Sequence, residues 1–144
     1  MKTAIAKPGS ITHSRRTTLK ILLVDDDKFQ LEAVSEILRD LGFANISVAS
    51  SGAMAIESIT SKHEFDLIVT DLHMPGMDGF LFMEQLAGCD FAGALVIMSG
   101  QNGDVMRAAS LVARLQRFTL LGSITKPASR TALSEMISKL IAVE

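Results

Sequence analysis

The sequence predicts an α/β protein built on one parallel five-stranded sheet with helices on both faces. Three observations carry this prediction. Five short aliphatic runs, at residues 19–24, 45–49, 65–70, 94–98 and 120–125, alternate with segments whose apolar residues recur at helical spacing. The run ALVIM at 94–98 is apolar without in-out alternation, as a strand covered on both faces should be. Polar residues collect where the runs end: Asp25, Asp26 and Asp27 after the first, Asp71 after the third, Ser99 after the fourth and Lys126 after the fifth. Ligands of open parallel sheets bind beyond the carboxyl ends of the strands, so topology alone brings these side chains together.

In chain order, residues 1–18 hold Lys2, Lys7, Arg15 and Arg16 and no acid, which reads as a flexible, solvated basic tail ahead of a domain at 19–144. LKILLV (19–24) then stops at the three aspartates. Asp27 and Gln30 have capping-box spacing, Leu31, Val34, Leu38 and Leu41 recur on one helical face, and Gly42 is the stop. NISVA (45–49) is a shorter strand. Ser50-Ser51-Gly52 supplies cap chemistry for a second helix marked by Ala53, Ile56 and Ile59. The third strand leads into Asp71 and a turn punctuated by Pro75, Gly76 and Gly79, with Asp78 assigned a structural part in it. A third helix over about 79–86 places Phe80, Met83 and Leu86 on one side, and 88–93 breaks it. After Ser99-Gly100 a helix is expected over about 104–116, with Val105, Ala109, Val112 and Leu115 aligned. Pro127 disfavours a helical Lys126, and Leu133, Met136, Ile137, Leu140 and Ile141 mark the last helix.

Composition narrows the function. A chain of 144 residues with 48% hydrophobic content suits one domain with one core. No apolar run approaches the roughly 20 residues that span a bilayer, and the start lacks the apolar block of a signal peptide, so a cytoplasmic protein is expected. Cys89 is the single cysteine, which excludes an internal disulfide, and it reads as an inert thiol; His13, His63 and His73 are not at metal-ligand spacing. Setting aside the four basic residues of the tail leaves 10 basic against 16 acidic residues, a net −6 for the domain, which argues against nucleic-acid binding by its body.

Each strand-end residue alone has an ordinary structural use: Asp71 as a turn former, Asp27 as a helix cap, Ser99 as a turn hydroxyl, Lys126 as a solvated charge. Together they describe a chemistry. Carboxylates within about 4 Å repel by roughly 4 kcal/mol per pair at an effective dielectric near 20, so they call for a cation between them. With oxygen ligands alone the expected ion is Mg²⁺, which leaves positions for water and a phosphate oxygen. Lys126 and the Ser99 hydroxyl are suited to an anionic oxygen, and a carboxylate is a competent nucleophile for phosphoryl transfer. Asp71 would become an aspartyl phosphate.

The motifs LLVDDD, VTDLHMPGMDG, VIMSG and ITKP, in that order, resemble those of response-regulator receiver domains of two-component signalling, over roughly residues 19–141. The resemblance implies strand order 2-1-3-4-5, Mg²⁺ held by Asp25, Asp26, Asp71 and the backbone carbonyl of His73, phosphorylation of Asp71, and contacts from Ser99 and Lys126 to the phosphoryl oxygens. It further implies a histidine kinase or histidine-containing phosphotransfer protein as donor, self-dephosphorylation rather than turnover catalysis, and Ser99 and Ser123 as switch positions. Ser123 stands where the family usually carries Tyr or Phe, and Ala128 where Phe often follows Lys-Pro. The pattern from Ser99 to Lys126 is similar to receivers that precede cyclic-di-GMP phosphodiesterase domains. With residue 144 just beyond the last helix, output is expected through an unidentified partner protein, through self-association or not at all, from a monomer or homodimer. Two other readings compete: a small Mg²⁺ phosphatase of the haloacid-dehalogenase type, from the Asp-x-Asp in Asp25-Asp26-Asp27, and a receiver-like binding module that works without phosphorylation.

Overall fold

The computed structural model describes residues 18–62, 64–71, 73–74, 77–99 and 119–142. Strands β1 (Lys20–Val24), β2 (Asn45–Ala49), β3 (Leu67–Asp71), β4 (Ala94–Ser99) and β5 (Thr119–Thr125) form one sheet in the order β2-β1-β3-β4-β5, with every pairing parallel. This is the expected 2-1-3-4-5 order. The chain steps outward from β1 to β2 and then back across to β3, so the order reverses between β1 and β3, and a site belongs at their carboxyl ends.

Strand periodicity sorts the core into two layers. Leu22, Val24, Ile68, Leu95 and Ile97 face α2 (Gly52–Lys62) and α3 (Gly79–Gly88), which cover them with Ala55, Ile59, Phe82, Met83 and Leu86. Their neighbours Ile21, Leu23, Leu67, Val69, Val96 and Met98 face α1 (Lys28–Asp40) and α4 (Arg130–Ala142), through Leu31, Val34, Leu38, Leu133 and Ile137. Both layers are anchored on β1, β3 and β4, which is why residues 21–24, 67–71 and 94–98 of those strands are buried.

Local chemistry sets the helix ends. Ser51 Oγ accepts the Met54 N–H at 3.1 Å and Ser129 Oγ the Ala132 N–H at 3.1 Å, both N-caps. α1 closes in a Schellman motif: Phe43 N–H donates to the Leu38 carbonyl and Gly42 N–H to the Arg39 carbonyl, both at 3.0 Å, with Gly42 at φ 101°. α3 ends the same way with a non-glycine residue, Asp90, in the left-handed position (φ 60°).

The structure departs from the sequence reading in several places. β3 begins at Leu67 and includes Asp71, which pairs with Met98, so Asp71 is the last residue of the strand rather than the first beyond it. On α2 the buried face is Gly52, Ala55 and Ile59, with Ala53 exposed. Phe82 joins Met83 and Leu86 in the core, whereas the Phe80 side chain lies outside the described residues. The turn after β3 contains a short antiparallel ladder, His73–Met74 against Met77–Asp78. The helix expected over 104–116 lies outside the described residues.

β5 carries a bulge that the sequence reading missed. Leu95 pairs with Leu120 and Val96 with Gly122, so Leu121 is the extra residue, and the shift lets Ile124 reach the α1–α4 layer while Ser123 faces the other side. Gly122 sits at φ 151°, and a Cβ there would lie 3.0 Å from Met136 Sδ. Gly122→Ala is therefore expected to cost about 1–3 kcal/mol, read as a lower urea midpoint. An unchanged midpoint would mean the bulge relaxes without strain.

Candidate functional site

The three consecutive aspartates after β1 have three different fates. Asp25 continues the β1–β2 ladder by donating its N–H to the Ala49 carbonyl at 3.1 Å, and its side chain is fully buried. Asp25 Oδ1 accepts the Asp27 N–H at 3.0 Å. Asp27 turns outward, and its carboxylate caps α1 by accepting the Phe29 N–H at 2.9 Å. The capping box expected with Gln30 is thus replaced: the Asp27 N–H that Gln30 would have taken is held by Asp25. Asp26 remains exposed at the mouth of the cluster.

β3 delivers Asp71, 5% exposed, and the residue after β5 delivers Lys126. Lys126 Nζ donates to Asp71 Oδ2 at 2.9 Å and lies 3.0 Å from Asp25 Oδ2, so one ammonium spans the ends of β1 and β3. The Lys126–Pro127 peptide is cis. Asp25, Asp26 and Asp71 each place a carboxylate oxygen within 4.8 Å of the others. Asp25 Oδ2 is buried, and among the described residues the Lys126 ammonium at 3.0 Å is its one close polar partner. A buried acceptor with unused capacity beside two more carboxylates fits an oxygen-seeking divalent cation such as Mg²⁺.

The electrostatics follow from burial. Desolvation raises the Asp25 pKa; the Asp27 N–H and the Lys126 ammonium pull the other way without overcoming it, and the Asp71 charge adds to the rise. For Lys126 desolvation acts to lower the pKa, but the two carboxylates outweigh it and hold the ammonium above its ordinary value. Among the described residues, both shifts reflect several carboxylates gathered around one ammonium.

Among the other expected site residues, Ser99 is the last residue of β4, opposite Thr125, and His73 opens the short ladder; their side chains lie outside the described residues, as does that of Asp78. Ser123 pairs with Ile97 and is exposed. Ala128 is half-buried against the α1–α4 layer. Cys89 is a half-buried free thiol 3.4 Å from Thr60 Oγ1. Sequence reasoning passed over Thr70, whose hydroxyl donates to the Asp71 carbonyl at 3.0 Å; its only sequence signal is a hydroxyl in an aliphatic run. Two cavities, of about 520 Å³ against Phe91 and Leu140 and about 560 Å³ between α1 and β2, are lined by residues outside this cluster.

The response regulator receiver domain profile matches residues 21–138. The chain belongs to the receiver domain family. It is 30% identical over 126 residues to the chemotaxis protein CheY-3 of Vibrio cholerae, covering 85% of this chain and 91% of that protein. A response regulator receiver domain protein from Clostridium thermocellum superposes with a TM-score of 0.72 at 25% identity, over 85% of this chain and 94% of the other. The fold also matches a CheX-CheY-BeF3-Mg complex from Borrelia burgdorferi, with a TM-score of 0.79 at 20% identity over 94% and 98% of the two chains. Receiver domains are phosphoacceptor signalling modules and not turnover enzymes. The phosphatase reading is not favoured: its Asp-x-Asp would need Asp27 in the cluster, and Asp27 caps α1 instead. Among the described residues no helix is long and apolar enough to cross a membrane.

Proposed function

We propose that Asp71 is the phosphoacceptor of this receiver, taking its phosphoryl group from the phosphohistidine of a histidine kinase or histidine-containing phosphotransfer protein in a Mg²⁺-dependent reaction. The observation that carries this reading is the single ammonium of Lys126 held between buried Asp25 and Asp71, with Asp26 beside them. An oxygen of the Asp71 carboxylate attacks phosphorus; the O–P bond forms as the P–N bond to the donor imidazole breaks, and the electron pair stays on that nitrogen. Lys126 moves its ammonium onto the phosphoryl oxygens, where charge builds in the transition state, with the Ser99 hydroxyl as a second donor. Asp25, Asp26, Asp71 and the His73 carbonyl would hold Mg²⁺, which supplies charge neutralisation when bound.

The phosphorylated state is read by protein contacts, from a cytoplasmic monomer or homodimer, and is cleared by self-dephosphorylation. Residues 1–18 act as an appended basic tail. With Ser123 exposed on β5, the signal is carried without the ring rotation that an aromatic side chain at this position would provide.

Incubation with acetyl phosphate and Mg²⁺ should add one phosphoryl mass that hydroxylamine removes. The gain should vanish without Mg²⁺ and in Asp71→Asn. Persistence of the label in Asp71→Asn would place the acceptor elsewhere.

A further inference from the structure

β3 is aliphatic from Leu67 to Val69, and Thr70 breaks the run one residue before Asp71. Thr70 is 1% exposed, and its register partners on the two sides are Val24 and Ile97, both in the apolar layer beneath α2 and α3. Valine has nearly the same shape and carries no hydroxyl to desolvate, so packing alone would favour it in this slot. Among the described residues the hydroxyl bonds neither to a neighbouring strand nor to a helix above. It donates to the carbonyl of the next residue, Asp71, at 3.0 Å.

That carbonyl is the last main-chain acceptor of β3. Because the peptide unit is planar, fixing its direction fixes the ψ angle of Asp71 and with it the path along which the chain leaves the strand. The main chain at His73, two residues on, hangs on that path, while the Asp71 carboxylate, already set against Lys126, leaves the Cα from which the path starts.

We propose that Thr70 is a positioning residue, whose hydroxyl holds the Asp71 carbonyl so that the Asp71 carboxylate and the main chain at His73 serve the same cation. The inference rests on the phosphoacceptor reading of Asp71 and deepens it. It separates stability from function: a hydroxyl that served only the fold would be missed in a melt, whereas one that serves the site would be missed in cation binding and transfer.

Thr70→Val and Thr70→Ser in the full chain test it, each with a metal-free melt, a titration with MgCl₂ and the rate of labelling by acetyl phosphate. Thr70→Val should melt at or above the wild type without metal, yet bind Mg²⁺ about tenfold more weakly and label more slowly by a similar factor, the usual scale for losing an outer-shell partner. Thr70→Ser, which keeps the donor, should recover both to within about twofold. Equal Mg²⁺ affinity in wild type and Thr70→Val overturns the proposal, and so does a melting temperature of Thr70→Val well below wild type, which would make the hydroxyl a fold-stabilising group. Should wild type take no label at all, the phosphoacceptor reading fails separately, and the Mg²⁺ titration by itself decides the role of Thr70.

Discussion

Lys126→Met is expected to destabilise the metal-free protein by about 2–3 kcal/mol and to slow phosphorylation by about a hundredfold. Removing one partner of a buried ion pair typically costs about 3–5 kcal/mol, because the other partner keeps its charge without compensation. Here two carboxylates are left behind, one fully buried and one nearly so, whereas the Lys126 side chain is itself 21% exposed; partial solvent access discounts the figure. The Lys126 pKa is raised in the folded protein, so its contribution is complete below the unfolded lysine value and is lost only as pH rises through the higher folded value. Neutral pH is well inside the stable window. Millimolar Mg²⁺ should restore much of the melting temperature, since any cation answers the carboxylates, but not the rate, since the ammonium is needed at the phosphoryl oxygens. Thermal melts with and without Mg²⁺, alongside labelling by acetyl phosphate, separate the two effects. A variant that melts and labels like wild type would remove Lys126 from the site.

What the residues revealed in advance, and what they did not, divides along the range of the forces involved. The aliphatic runs and the helical spacing between them predicted the five strands, and their order came from the resemblance; both match because each buried strand is specified by its own side chains. The convergence of Asp25, Asp71 and Lys126 was legible because strand ends meet in this topology. The departures all depend on partners that spacing does not encode. The N–H of Asp27 could have gone to Gln30 and goes instead to Asp25, a choice made by the burial of Asp25. The bulge at Leu121 and Gly122 follows from the fit of β5 against β4 and from the closeness of Met136. The left-handed closing residue of α3 is Asp90, although glycines stand on either side of it at 88 and 93. Thr70 looked like an ordinary strand residue until its hydroxyl was seen bonded to the Asp71 carbonyl.

Asp25→Asn should separate the stability of the domain from its capacity to bind a cation. The folded-state pKa of Asp25 is raised, chiefly by desolvation, so its contribution is most favourable below the unfolded aspartate value and is lost as pH rises through the folded value. Above that value the buried carboxylate is a net liability in the metal-free protein, even with Lys126 at 3.0 Å. Asparagine keeps an Oδ1 acceptor for the Asp27 N–H and removes the charge. The variant should be more stable than wild type at pH 7 without metal, read as a higher melting temperature, and the two should converge as the solution is acidified. Mg²⁺ reverses the ranking. A cation that binds only the folded state stabilises it by about 2.7 kcal/mol at a hundred times its dissociation constant, and only the wild type keeps the full ligand charge to profit from this. Melts across pH with and without Mg²⁺ should thus cross: Asp25→Asn higher in chelator, wild type higher in Mg²⁺. A variant less stable than wild type in chelator at pH 7 would show that the ion pair with Lys126 outweighs the desolvation of Asp25, and equal Mg²⁺-induced shifts in both proteins would remove Asp25 from the cation site.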